Sequence, residues 1–121
     1  MLIKDFYRVL SIQNVETGYQ ANIELNKDHA VFEGHFPDNP VMPGVCMIQI
    51  IKELVEEITS KTLFMQQVSN VKFMTLINPQ VDHTLVVNFS VEEKEDLIKV
   101  KSSISFQDTI ALKMSSVYTQ K

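Results

Sequence analysis

Along the chain, the spacing of apolar positions changes period twice, from two to about 3.6 and back. Residues 4–15 are rich in β-branched and aromatic side chains and predict a strand. Thr17-Gly18 suits a turn, and residues 19–26 alternate as a second strand. From Pro43 onward the pattern is helical, with Val45, Ile48, Ile51, Leu54, Val55 and Ile58 at helical spacing and Lys52, Glu53, Glu56 and Glu57 as a polar stripe. The first turns, Val45 to Ile48, are apolar nearly all round, which predicts burial on several sides. After Lys61 alternation returns. Val71 to Ile77 is one candidate strand, and Leu85, Val87, Phe89 and Val91 share a face of the next. Glu92 to Asp96 reads as a charged turn. Ile98, Val100, Ser102, Ile104 and Phe106 then share a face, Gln107-Asp108 gives a short reversal, and Ile110, Leu112 and Met114 mark the last strand.

The predicted order is two strands, one helix and four strands. Late strands joined by tight connections pair antiparallel. A helix that rejects water on most sides needs a sheet that curls about it. The pattern therefore predicts an α+β fold of the hot-dog kind, an antiparallel sheet wrapped around a long central helix, over a single domain 1–121. Pattern alone leaves other α+β topologies open.

Composition narrows the picture. The chain has 121 residues and 45% apolar content, enough for one core and too little for two. With one cysteine, Cys46, no intrachain disulfide can form. The N-terminus lacks a long apolar core and a small-residue cleavage site, so no signal peptide is read, and apolar runs fall short of a membrane span. A cytoplasmic protein without membrane association is the expectation. The net charge is −4 and the lysines are scattered, without the basic patch or stripe of a nucleic-acid binder.

Glycine and proline concentrate in one place. The prolines are at 37, 40, 43 and 79, and Gly34 and Gly44 bracket the first three, so 33–44 reads as a structured loop. Within it stands His35. An isolated histidine most simply caps or packs a loop, and Pro43-Gly44 could serve only as a tight helix entry. His29 precedes the loop in a position read as exposed, and His83 sits near a strand start. Neither has metal-ligand spacing to another side chain, so no metal is predicted. Cys46, in the apolar first turns of the helix, is read as a small buried apolar residue.

The run Gly34-His35-Phe36-Pro37-Asp38-Asn39-Pro40-Val41-Met42-Pro43-Gly44-Val45 resembles the signature of the 3-hydroxyacyl-acyl carrier protein dehydratases. Val71-Lys72-Phe73 with Ile77-Asn78-Pro79-Gln80 resembles the family's strand and Pro-containing turn, and the C-terminal strands match as well. The resemblance implies a hydro-lyase acting on acyl carrier protein-linked 3-hydroxyacyl thioesters in fatty acid or polyketide-like biosynthesis.

That chemistry requires a base beside the thioester carbonyl, stabilisation of charge on the carbonyl oxygen, and a proton for the leaving hydroxyl. His35 is the candidate base, since imidazole exchanges protons near neutral pH. The N–H groups of Gly44 and Val45, unpaired at a helix start and aided by its dipole, could receive the carbonyl oxygen. Phe36 and Met42, with Met47 and Phe73, could line the acyl chain, although ordinary core is the simpler role for each. No cofactor is needed, because the thioester activates the substrate. In the family an acidic residue lies on the helix 14 positions after the histidine; here that position holds Gln49. An amide donates and accepts hydrogen bonds but cannot deliver a proton as a carboxylic acid does. Glu53, one turn further on, could substitute, but it reads more simply as a solvated helix-face charge. The resemblance also implies a site shared across a dimer, the histidine from one subunit and the acid from the other. A homodimer is one expectation, and a mixed dimer with an acid-bearing paralogue is another. A non-catalytic or half-catalytic acyl-binding subunit and an acyl thioesterase are the alternative functions.

Overall fold

The computed structural model describes residues 5–34 and 41–120. In chain order the elements are β1 (Tyr7–Val15), β2 (Gly18–Leu25), the one-turn α1 (Val31–Gly34), α2 (Gly44–Thr59), β3 (Leu63–Phe73), β4 (Thr84–Lys94), β5 (Leu97–Phe106) and β6 (Thr109–Gln120). The strands form one sheet in the order β1-β2-β4-β5-β6-β3, antiparallel at every pairing. This is the hot-dog architecture expected from the sequence, with β1 and β3 at the two edges.

Alternation along the strands builds the inner face. Ala21, Ile23 and Leu25 of β2, Leu85, Val87 and Phe89 of β4, Ile98, Val100 and Ile104 of β5, and Leu112, Met114 and Tyr118 of β6 are all buried. They enclose Cys46, Met47, Ile50, Ile51, Leu54 and Val55 of α2, which lie on one side of that helix. Hydroxyls share the inner face: Ser116 Oγ donates to Tyr118 Oη at 3.0 Å, and the buried Ser102 Oγ reaches the Met114 carbonyl at 3.5 Å. Helix α2 ends where Ser60 turns left-handed (φ 56°) and its N–H reaches back to the Glu56 carbonyl.

Several boundaries differ from the sequence reading: β1 begins at Tyr7, with residues 5 and 6 in a turn before it. Of the strand expected over Val71–Ile77, residues 74–77 lie in a connection and only 71–73 are strand, the end of a longer β3 that starts at Leu63. Its pairing with β6 shifts register between Met65 and Gln67 and again between Ser69 and Lys72, and such bulges erase a period of two. The charged stretch 92–96 is mostly strand: Glu92 pairs with Lys99, so opposite charges continue the ladder, and only Glu95-Asp96 turns. Residues 31–34, where the loop was to begin, are helical.

The first turns of α2 also differ. Val45 is 75% exposed rather than buried. The helix is covered by the sheet on one side, and Val45, Gln49 and Glu53, four residues apart, run along another.

Candidate functional site

The start of α2 is a helix terminus without a side-chain cap. Its N-cap is Pro43, extended at φ −65° and ψ 140°, which has no side-chain donor or acceptor to offer, and the first turn carries no acidic residue. The first backbone bonds run from the Cys46 and Met47 N–H groups to the Pro43 carbonyl, at 3.1 and 3.3 Å. Among the described residues the Gly44 and Val45 N–H groups have no acceptor. Two donors and the positive end of the dipole therefore lie together at this terminus. Gly44 has a further role in packing: a Cβ there would stand 2.8 Å from the tip of the Phe73 ring, so any larger residue would have to displace that ring.

An apolar cleft of about 390 Å³ opens beside this terminus, between Val41, Met42, Gly44 and Met47 on one side and Phe73 and Leu76 on the other. Met42 and Met47 are core residues that also face the cleft; the Met42 N–H is tied to the Ile77 carbonyl at 2.9 Å. Phe73 is 54% exposed and acts as a cover rather than as core. His35 and Phe36 lie outside the described residues.

One turn along the same stripe of α2, Gln49 Nε2 donates to Glu53 Oε2 at 2.8 Å. The other oxygen, Glu53 Oε1, accepts from the Tyr7 hydroxyl, also at 2.8 Å. Tyr7 opens β1 and comes from 46 residues away, with its ring buried. Burial pushes its hydroxyl far above the ordinary tyrosine range, and the Glu53 hydrogen bond and the charges of Glu53, Glu57 and Glu56 add to this. It therefore remains a donor. Glu53 is thus a half-buried carboxyl pinned at both oxygens, not the solvated helix-face charge the sequence suggested. On the neighbouring flank Lys52 and Glu56 form an i,i+4 ion pair at 3.3 Å, and Glu56 Oε2 also accepts the Leu63 N–H.

Tyr7 was absent from the sequence reading, because no spacing rule connects the first strand to the middle of a helix. His29 is half-buried rather than exposed: its Nδ1 accepts the Val31 N–H at 3.0 Å and its ring meets Phe6 edge-on. Cys46 is buried, and burial raises its thiol pKa, in line with a packing role. No helix among the described residues is long and apolar enough to cross a membrane.

Residues 11–113 match the model of the ApeI-like family, described as ApeI dehydratase. The chain belongs to the ApeI-like dehydratase family. Relatives among curated proteins carry the name 3-hydroxyacyl-acyl-carrier-protein dehydratase FabZ. The one from Latilactobacillus sakei is 32% identical over 116 residues, covering 89% of this chain and 79% of its own length. That from Caldicellulosiruptor bescii is 32% identical over 118 residues, covering 88% and 77%. Among solved structures, the dehydratase heterocomplex ApeI:P from Xenorhabdus doucetiae superposes with a TM-score of 0.74 at 19% identity, over 93% of this chain and 97% of that one. A hypothetical thioesterase from Streptococcus pneumoniae with coenzyme A gives 0.68 at 9% identity, over 95% and 85%. These two structures share the fold with this ApeI-like protein, which is dehydratase-like at the level of its family.

Proposed function

We propose that this ApeI-like protein eliminates water from a 3-hydroxyacyl thioester carried by an acyl carrier protein, in fatty acid or polyketide-like biosynthesis. The observation that supports it most is the helix start: two N–H groups without an acceptor among the described residues, an apolar cleft beside them, and Gln49 one turn along the same stripe, all following His35 in the sequence. In this reading the Gly44 and Val45 N–H groups hold the thioester carbonyl and stabilise the charge that develops there. Their cleft, with Met42 in its wall, receives the acyl chain, and Phe36 of the sequence motif is assigned to the same chain. His35 removes the proton next to the carbonyl, and Gln49 takes the place of the acid by hydrogen bonding to the leaving hydroxyl.

A half-catalytic role in a mixed dimer is the second reading, favoured by Gln49 at the acid's position. A dimer in general is supported by the surface. Among the described residues edge strand β3 has no strand on its outer side, and Phe64 (56% exposed) on it and Leu76 (73% exposed) just beyond it are solvent-facing apolar side chains of the kind that mark interfaces.

Turnover of a 3-hydroxyacyl carrier substrate by the pure protein, and by His35→Ala and Gln49→Glu variants, tests the proposal. Slow elimination is expected from the unaltered chain. It should be abolished in His35→Ala and raised about a hundredfold in Gln49→Glu, the lower end of what general acid catalysis contributes. Robust elimination by the homodimer removes the need for a partner. No elimination by either the unaltered chain or Gln49→Glu would favour the acyl-binding subunit.

A further inference from the structure

We propose that Glu53 and Tyr7 are positioning residues for the Gln49 amide, fixing it so that its carbonyl oxygen is the group offered to the 3-hydroxyl of the substrate. The inference rests on the dehydratase reading and names the parts of the site that make an amide usable there. A primary amide has two ends of opposite polarity, Nε2 as donor and Oε1 as acceptor, and left alone it can present either. Here Nε2 is committed to Glu53 Oε2 at 2.8 Å, so Oε1 faces away from Glu53. A carboxylate could rotate and release the amide, but the Tyr7 hydroxyl holds the second oxygen at 2.8 Å. The order Tyr7 hydroxyl to Glu53 to Gln49 thus sets a direction: each donor points toward the carboxylate, and among the described residues nothing donates to the acceptor end of Gln49, which is left for a ligand. Tyr7 reaches Glu53 from another element, which fixes the carboxylate relative to the sheet and not merely along α2.

The consequence for the reaction is definite. The substrate hydroxyl donates its own hydrogen to Gln49 Oε1, which leaves the lone pairs of its oxygen for the proton that completes water. The C2–H bond breaks and its proton passes to the His35 imidazole. The C3–O bond breaks, its electron pair leaving on oxygen, while the electrons of the C2–H bond form the C2–C3 double bond. The imidazolium returns the proton to the departing oxygen. Gln49 transfers no proton and Glu53 touches no substrate. Their contribution is orientation, which matters because small misplacements of a reacting group are costly in rate.

Binding separates this inference from the turnover reading. The probes are a 3-hydroxyacyl pantetheine thioester and the matching acyl thioester without the hydroxyl, titrated calorimetrically into the whole protein. One oriented hydrogen bond corresponds to a preference of up to about tenfold for the hydroxylated probe. Glu53→Gln should bring that preference close to one with the affinity for the plain acyl probe unchanged, and should lower kcat more than it raises KM. The exchange variant Gln49→Glu/Glu53→Gln keeps a carboxyl-amide pair in contact and should recover the preference. If Glu53→Gln does not fold, Tyr7→Phe serves instead and should reduce the preference part-way. A preference that survives Glu53→Gln, or Tyr7→Phe in its place, overturns the inference even where turnover is normal. A preference that collapses in a protein without turnover keeps the inference and rejects the enzymatic reading.

Discussion

Replacing Tyr7 with phenylalanine removes one hydroxyl and leaves the buried ring in place, so its cost isolates a single bond. The bond is 2.8 Å long and runs to a carboxyl oxygen in a half-buried setting. Hydrogen bonds to charged groups contribute about 1.5–3 kcal/mol. Water can reach part of this site, which places Tyr7→Phe near the lower end, at about 1.5 kcal/mol. In a chain of this length that corresponds to a fall in Tm of roughly 6 °C. The assay is urea and thermal unfolding followed by far-UV circular dichroism, with Glu53→Gln and the double variant completing a cycle. A coupling of about 1 kcal/mol between the two positions is expected. The pH dependence has a fixed sign. The Tyr7 hydroxyl is held above its ordinary value of 10.0 in the folded state, so its stabilisation is complete below that pH and is lost as the pH rises beyond it and the unfolded chain ionises. Tyr118, raised in the same direction chiefly by burial, adds to that alkaline loss, and Tyr7→Phe should remove only the Tyr7 share. A Tyr7→Phe protein within about 0.3 kcal/mol of the parent, a difference typical of a neutral surface change, would refute the pinned-carboxyl account.

Other consequences follow from packing and charge. Leu54→Ala, at a fully buried position of α2, should destabilise by about 2–5 kcal/mol in the same unfolding assay. Lys72 and Lys113 stand directly opposite each other on β3 and β6, a like-charge pair; Lys113→Glu should stabilise by about 0.2–1 kcal/mol at low salt, and less at high salt. Cys46 should resist a thiol reagent at neutral pH in the native protein and react fully once urea unfolds it.

Much of the fold was legible because the inner face is written in plain alternation. Leu85-Val87-Phe89 and Ile98-Val100-Ile104 each show it, and the buried side of α2 repeats at helical spacing. Strand β3 was misjudged in extent because two register shifts move its side chains between faces, and local sequence does not encode where a bulge falls. Val45 was misjudged because hydrophobicity says that a side chain favours burial, not which neighbour supplies it. At the site, Gln49 was visible by its place relative to His35. The pairing of Glu53 with Gln49 was visible as an i,i+4 relation, but its burial was not, since the group that covers it, Tyr7, arrives through the sheet from 46 residues away.

The central claim is elimination from a 3-hydroxyacyl thioester, and product identity tests it most directly. Mass spectrometry of a carrier-bound 3-hydroxyacyl group after incubation with the protein distinguishes the outcomes in one measurement. The expected product is still attached to the carrier and has lost one water, formed by the unaltered chain, faster with Gln49→Glu, and absent with His35→Ala. Release of the free hydroxy acid with the carrier thiol left bare, dependent on His35, would contradict it and make the protein a thioesterase.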